Sequence, residues 1–139
     1  MAIWLLKTEP TVYSLADLQR DGSTMWDGVT NNTALKNIRS MEKGDLVLIY
    51  HTGDERRIVG TAEVTRGYYV NPEKDDDKLA VCDVKFKDTL KNPVTLVQIK
   101  AVPELATTDL VRLGRLSVVS ISPAEWEILQ QLAQSPSGK

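Results

Sequence analysis

Short apolar segments recur along the whole chain, separated from one another by turn residues or short helical patterns. Residues 3–6, 46–50, 58–64, 81–86 and 118–121 have the apolar runs or the alternation typical of β-strands. No segment between them has the long helical period that a doubly wound parallel sheet requires. The sequence therefore predicts an α+β fold in which five or six mostly antiparallel strands form a small, strongly bent or closed sheet flanked by short helices.

Several local signals set the expected limits of these elements. Ser14, Thr95 and Ser122 are typical N-cap residues, and the helix after Ser122 also has proline at its first position and glutamate at its third. Gly60 lies inside a strand pattern, which indicates a bulge or the close approach of another backbone. Asn92-Pro93 predicts a turn, and the two segments flanking Trp26 both resemble short helices.

Length and composition favour one soluble domain. The chain has 139 residues, of which 42% are apolar, and this suffices for a hydrophobic core. We expect a single domain over residues 1–134 and a flexible tail over residues 135–139, which lack apolar anchors. No secretion signal or membrane-length apolar run is present, so we expect a cytoplasmic monomer that does not bind membranes.

The net charge and the scarcity of cysteine and histidine limit the possible classes of function. One cysteine and one histidine provide no zinc-type cluster, and no metal or cofactor is expected. The net charge of −2 excludes a strongly basic protein that binds phosphates non-specifically. A local basic face is still compatible with this charge, and its candidate phosphate contacts are Lys36, Arg39, Arg56 and Arg57.

Polar and aromatic side chains are concentrated at strand ends and in loops. If these clusters converge, they provide a ring for stacking together with carboxylate, amide and cationic groups, which suits one planar ligand such as a nucleobase removed from its stack. A carboxylate accepts a hydrogen bond from the exocyclic amine of cytosine. The predicted base-pocket residues are Lys7, Thr8, Glu9, Trp26, Asp27, Gly28, Val29, Asn31, Asn32, Tyr50, His51, Arg115, Leu116 and Ser117.

A structural role is an open alternative for several of these residues. Trp26 is also compatible with a half-buried core position, and His51 with a hydrogen-bonding role at a strand end. Lys7 and Glu9 would then form an exposed ion pair of little energetic value. The chain contains no nucleophile elbow, phosphate-binding loop or histidine relay, which disfavours an ordinary hydrolase or NTPase.

Ten short motifs are spread along the chain. They are WLLKTEP at residues 4–10, YS at 13–14, WDGV at 26–29, GD at 44–45, YH at 50–51, IVG at 58–60, AEV at 62–64, PVTL at 93–96, RLSV at 115–118 and EW at 125–126. With these motifs in this order, the chain resembles the EVE domain, a PUA-like family, from residue 3 to about residue 132.

The resemblance implies a PUA-like β-barrel flanked by helices and a non-catalytic module that reads a flipped modified base. The implied ligands are 5-methylcytosine and 5-hydroxymethylcytosine in DNA. Two alternatives are an RNA-binding module and an ASCH-type amidohydrolase of acylated nucleosides that would use Lys7, Thr8 and Glu9. The chain departs from the family pattern at Thr30, Asn32 and Leu35, where the family usually has arginine or an aromatic residue.

Overall fold

Six strands and six helices lie within residues 1–134, which are the residues that the computed structural model describes. The expected tail at residues 135–139 lies outside this range. In chain order the elements are β1 (Ile3–Thr8), α1 (Leu15–Asp21), β2 (Ser23–Trp26), α2 (Asn32–Arg39), β3 (Leu46–His51), β4 (Arg57–Val70), β5 (Ala80–Thr95), α3 (Leu96–Lys100), α4 (Pro103–Ala106), α5 (Asp109–Arg112), β6 (Val118–Ile121) and α6 (Pro123–Gln134).

The strands form one mixed sheet in the order β2-β5-β4-β3-β1-β6. Strands β1 and β3 pair in parallel, and every other neighbouring pair is antiparallel. Every residue of β3 is buried, which agrees with its continuous apolar sequence and its place inside the sheet. The predicted α+β class with mostly antiparallel strands is therefore confirmed.

Of the two predicted forms of the sheet, bent or closed, the bent form is confirmed and closure into a barrel is wrong for the described residues, because β2 and β6 remain its two edges. Helix α2 contacts β4 and β5 as well as β6, so the sheet curves around this helix. The Asn37 side chain on α2 donates a hydrogen bond of 2.8 Å to the Val118 carbonyl oxygen of β6. Because the helix and its amide occupy this side of β6, the sheet bends without joining its edges.

Two long strands replace the shorter ones that the sequence suggests. Gly67 does not end β4, because bulges between Val64 and Tyr69 absorb the irregularity. Pro93 does not end β5 either. Gly60 pairs with Thr89 while Ile58 pairs with Val94, so Pro93 lies in a bulge where no ladder hydrogen bond is required of it.

The helix starts follow the local signals in the sequence. The Ser14 hydroxyl accepts from the Asp17 backbone N–H at 3.1 Å and the Asp17 carboxylate accepts from the Ser14 N–H at 2.9 Å, which completes a capping box. Thr95 with Gln98 forms the same arrangement at α3, and Ser122 with Glu125 forms it at α6. Within residues 1–134, no helix has the length and apolar character needed to cross a bilayer.

Cys82 faces the core from β5, as its place in the alternating strand predicts. It is fully buried, its Sγ lies 3.6 Å from Met41 Sδ, and burial raises the pKa of its thiol to about 12. The thiol is therefore protonated at neutral pH and acts as a small core side chain.

Thr61 on β4 is only 6% exposed, and its buried hydroxyl has no hydrogen-bond partner among the described residues. We expect Thr61→Val to raise the free energy of unfolding by about 1 kcal/mol, because valine keeps the shape and removes an unpaired polar atom. Thr8→Val is the matched control and should lower it by about 1 kcal/mol, since the Thr8 hydroxyl donates to the Tyr13 carbonyl at 2.7 Å. Urea denaturation measures both, and equal losses in the two variants would contradict this account.

Candidate functional site

A cavity of about 340 Å³, here called the base cavity, opens beside the ends of β1 and β2. Sequence-distant segments meet in it, because β1 pairs with β6 while β2 lies at the other edge of the curved sheet. Its lining residues are Lys7, Thr8, Val12, Tyr13, Thr24, Met25, Trp26, Asp27, Gly28, Val29 and Ser117.

Trp26 forms an aromatic wall of the base cavity and also belongs to the core. It is the last residue of β2 and only 7% exposed. The ring of Tyr13 packs edge-to-face against its indole, with 6.2 Å between the centroids and an interplanar angle of 85°. The Tyr13 hydroxyl donates to Asp21 Oδ2 at 2.9 Å, and burial raises the pKa of Tyr13, so this hydroxyl stays protonated. The two rings thus form a rigid apolar surface.

A tight turn after Trp26 places a carboxylate at the rim. Gly28 has a φ of +80°, a conformation that glycine adopts without strain. The adjoining Asp27 side chain is exposed and makes no hydrogen bond or ion pair within residues 1–134. Its oxygens are therefore available to a hydrogen-bond donor on a ligand.

The end of β1 supplies the opposite side of the base cavity. The Lys7 backbone N–H donates to the Ser117 carbonyl at 2.9 Å, which fixes the chain before β6 against β1. The Lys7 ammonium donates to the Gly114 carbonyl at 2.8 Å and lies 5.4 Å from the centre of the Tyr50 ring. Burial lowers the pKa of Lys7. The Ser117 hydroxyl has no partner in the part of the chain that the structure describes, so it is available to a ligand.

The structure brings together one part of the predicted base-pocket residues. Three sequence-distant segments contribute predicted residues to the base cavity: the end of β1, the turn after β2 and the residue just before β6. The predicted residues that line it are Lys7, Thr8, Trp26, Asp27, Gly28, Val29 and Ser117.

Glu9 and His51 make structural contacts and do not line the base cavity. His51 is 7% exposed, and its Nε2 accepts from the Leu15 backbone N–H at 3.0 Å. Its Nδ1 must then carry the proton and donate to the Glu55 carboxylate at 2.9 Å. This bond lowers the pKa of Glu55. The Glu9 carboxylate accepts from the Thr11 hydroxyl at 3.3 Å.

The remaining predicted pocket residues lie on neighbouring surfaces. Asn31 is the N-cap of α2, where its side chain accepts from the Ala34 N–H at 3.0 Å, and Asn32 is the first residue of that helix. Arg115 and Leu116 line a separate hollow with Asn31. Tyr50 lines a hollow on the far side of Lys7.

The predicted phosphate contacts are dispersed. Lys36 and Arg39 are exposed on α2, and Arg39 donates to the Lys78 carbonyl at 2.8 Å. Arg57 pairs with Glu55 at 3.2 Å. Only Arg56, of these four cations, lines a hollow that adjoins the base cavity through Lys7.

Four lining residues were absent from the sequence prediction, namely Val12, Tyr13, Thr24 and Met25. Thr24 and Met25 belong to β2, a strand that the sequence did not indicate. The adjacent motif of Tyr13 and Ser14 was a usable signal, because an N-cap fixes the direction of the residue before it. Within residues 1–134, no group of three or more His, Cys, Asp or Glu residues is placed to hold a metal ion.

Comparison with known proteins assigns the chain to a family. Human thymocyte nuclear protein 1 is 26% identical over an alignment of 165 residues including gaps, and the alignment covers 94% of this chain and 73% of that protein. A Rhodopseudomonas palustris protein solved by NMR has a TM-score of 0.91 and 35% identity, covering 96% of this chain and 94% of its own. The human THYN1 protein in complex with DNA containing 5-methylcytosine has a TM-score of 0.89 and 24% identity, covering 97% of this chain and 99% of its own.

More distant structures share the fold alone. The ASCH protein of Zymomonas mobilis has a TM-score of 0.59 and 11% identity, with 94% of each chain covered.

A family model described as the EVE domain matches residues 2–132 of the present chain, which is nearly all of it. The chain belongs to the EVE domain family.

Proposed function

We propose that this protein binds DNA by taking one flipped, modified cytosine into the base cavity. The observation that carries the proposal is the cavity itself, in which a buried indole and an unpaired carboxylate face the same space of about 340 Å³. That volume is at the small end of ligand sites, which suits a single heterocycle. The favoured ligands are 5-methylcytosine and 5-hydroxymethylcytosine.

Each part of a cytosine has a matching group at the rim or wall. The Trp26 indole offers an apolar face to the ring, and Val12 and Val29 offer apolar contacts to a methyl group. The Asp27 carboxylate accepts a hydrogen bond from the exocyclic amine, which thymine lacks. The Ser117 hydroxyl both donates and accepts, so it suits the ring edge or the sugar.

A relative supports the choice of ligand. The human THYN1 protein, which shares the fold at a TM-score of 0.89, binds DNA that contains 5-methylcytosine. An identity of 24% supports a shared fold only. The ligand proposed for this chain therefore depends on its own Trp26 and Asp27.

The low net charge of −2 also favours recognition through a base. Non-specific phosphate attraction needs many free cations, and here Arg57 and Lys85 already pair with carboxylates. Selective binding of nucleic acid would then depend mainly on the contacts inside the base cavity. RNA with a modified cytosine is the alternative partner, distinguished by its 2′-hydroxyl.

The geometry gives no support to the amidohydrolase alternative. The Thr8 hydroxyl donates to a backbone carbonyl, Lys7 donates to another, and Glu9 faces Thr11. A nucleophilic threonine requires a base within hydrogen-bond reach, and no hydrogen bond joins these three side chains among the described residues.

The proposal predicts that the wild type binds a duplex with one 5-methylcytosine about fourfold more tightly than the unmodified duplex, because burying one methyl group contributes about 0.8 kcal/mol. Asp27→Ala should weaken binding about tenfold and abolish the preference for cytosine over thymine at the flipped position. Fluorescence anisotropy at fixed salt measures both effects. Asp75→Ala removes the same charge from an exposed loop and should change neither.

Two results would count against the proposal. One is equal affinity of the wild type for modified and unmodified duplexes. The other is an Asp27→Ala variant that discriminates bases as the wild type does. A matching series in RNA decides which nucleic acid is preferred.

A further inference from the structure

A second hollow, here called the phosphate hollow, shares Lys7 with the base cavity. It holds about 240 Å³ between the end of β3, the loop of residues 52–56 and the helices α3 and α5. Both Tyr50 and Gly114 line it, and the Lys7 ammonium contacts both of them. The charged end of Lys7 therefore lies on the side of the phosphate hollow.

Two more cations line the phosphate hollow from separate elements. Arg56 comes from the loop after β3, and Lys100 ends α3. Neither they nor Lys7 form an ion pair within residues 1–134. The Arg56 Nε donates to the Gly53 carbonyl at 3.2 Å, which leaves its two terminal nitrogens free of hydrogen bonds in the same part of the chain.

Carboxylates surround this region without lining the hollow. Glu9 lies against the backbone of Gly53 and accepts from the Thr11 hydroxyl, whereas Glu55 pairs with His51 and Arg57. Asp54 and Glu55 line a different hollow, which Arg56 and Lys100 also border. Among the described residues, no acidic side chain lines the phosphate hollow itself or forms an ion pair with its three cations.

The loop that presents Arg56 has an unusual backbone. Arg56 has a φ of +45°, and among the described residues it is the only residue besides glycine with a positive φ. Hydrogen bonds on both sides hold it, from the Thr52 N–H to the Thr8 carbonyl at 2.9 Å and from the Leu96 N–H to the Arg56 carbonyl at 2.8 Å. Strained residues that persist in this way are concentrated at binding sites.

We propose that the phosphate hollow binds a backbone phosphate of the nucleotide whose base occupies the base cavity. This inference rests on the base-binding function proposed above. In a nucleotide one sugar joins the base to the phosphate, and the two hollows are likewise neighbours that share the Lys7 side chain. A guanidinium and two ammonium groups supply charge-assisted hydrogen bonds to the phosphodiester oxygens.

The test uses the full chain and a single-stranded oligonucleotide with one 5-methylcytosine. Arg56→Gly removes the guanidinium and accepts the positive φ without strain, and Lys100→Gln removes the second cation. Lys74→Gln, in the exposed loop after β4, is the matched control. Each protein is titrated with the natural strand and with strands in which one linkage beside the modified base is a neutral methylphosphonate.

We expect one neutral linkage to weaken binding by the wild type and by Lys74→Gln about tenfold. The same linkage should have almost no effect on the Arg56→Gly, Lys100→Gln double variant, whose plot of log K against log salt should be less steep by about 0.7 for the lost phosphate contact. The ratio of affinities for 5-methylcytosine and cytosine should be unchanged in that variant.

The inference is overturned if the double variant remains as sensitive to that linkage as the wild type, or keeps the wild-type affinity and salt slope. If the wild type binds strands with 5-methylcytosine and strands with cytosine equally well, by contrast, the base-binding function is refuted. The salt slope on unmodified strands would still show whether Arg56 and Lys100 contact a phosphate, so the two failures are distinguishable.

Discussion

Asp45→Ala should lower the free energy of unfolding by about 4 kcal/mol, because one buried carboxylate accepts three hydrogen bonds. Asp45 is 4% exposed. Its Oδ2 accepts from the Trp4 indole N–H at 3.0 Å and from the Glu42 N–H at 2.9 Å, and its Oδ1 accepts from the Ala2 N–H at 3.1 Å. Alanine would leave the Trp4 donor buried and unpaired at the start of β1.

Asp45→Asn should lower the free energy of unfolding by about half as much as Asp45→Ala. An amide oxygen in the position of Oδ2 keeps the two bonds from Trp4 and Glu42, while the amide N–H₂ faces the Ala2 N–H and cannot accept from it. Guanidinium denaturation measures the free energy of unfolding of the wild type, Asp45→Ala and Asp45→Asn. Asp75→Ala, in an exposed loop, should stay within about 0.5 kcal/mol of the wild type, and an equal loss at both positions would contradict the role given to Asp45.

Gly60→Ala should lower the free energy of unfolding by about 3 kcal/mol, because a Cβ has no space there. It would lie 2.4 Å from Leu15 Cδ2 and 2.7 Å from the Asp88 carbonyl oxygen. The Asp88 backbone is fixed by pairing between β4 and β5, so Leu15 and α1 must shift. Since Tyr13 precedes α1 and lines the base cavity, we also expect weaker nucleic-acid binding.

The matched control is Gly114→Ala, which places its Cβ in open space and should change the free energy of unfolding by less than about 0.5 kcal/mol. Combining Gly60→Ala with Leu15→Ala removes the nearer clash. The double variant should lose less stability than the sum of the single losses, and strict additivity would show that Leu15 is not the obstacle.

The parts of the fold that the sequence predicts are those decided by neighbouring residues. The cap at Ser14 needs only Asp17, and the buried strand β3 needs only its own apolar run. Strand β2 escaped prediction because its four residues lack alternation and depend on pairing with β5. The continuation of β5 through Pro93 likewise depends on a bulge opposite β4, which lies far away in the sequence.

The candidate site divides in the same way. The turn at Gly28 and the polar end of β1 are local features, and the sequence prediction included them. His51 had the right residue type but lies outside the cavity, because a backbone N–H of Leu15 and the carboxylate of Glu55 take both of its ring nitrogens. Composition alone does not reveal which polar side chains are already engaged by the fold.

The position of β1 between β3 and β6 has a consequence for biosynthesis. Residues of β1 pair with residues that are made much later, such as Leu6 with Ile49 and with Val118. On the ribosome, β1 cannot be completed on both sides until β6 has emerged. A nascent or truncated chain without β6 therefore has no finished base cavity, because Ser117 and the pairing of β1 with β6 are both missing.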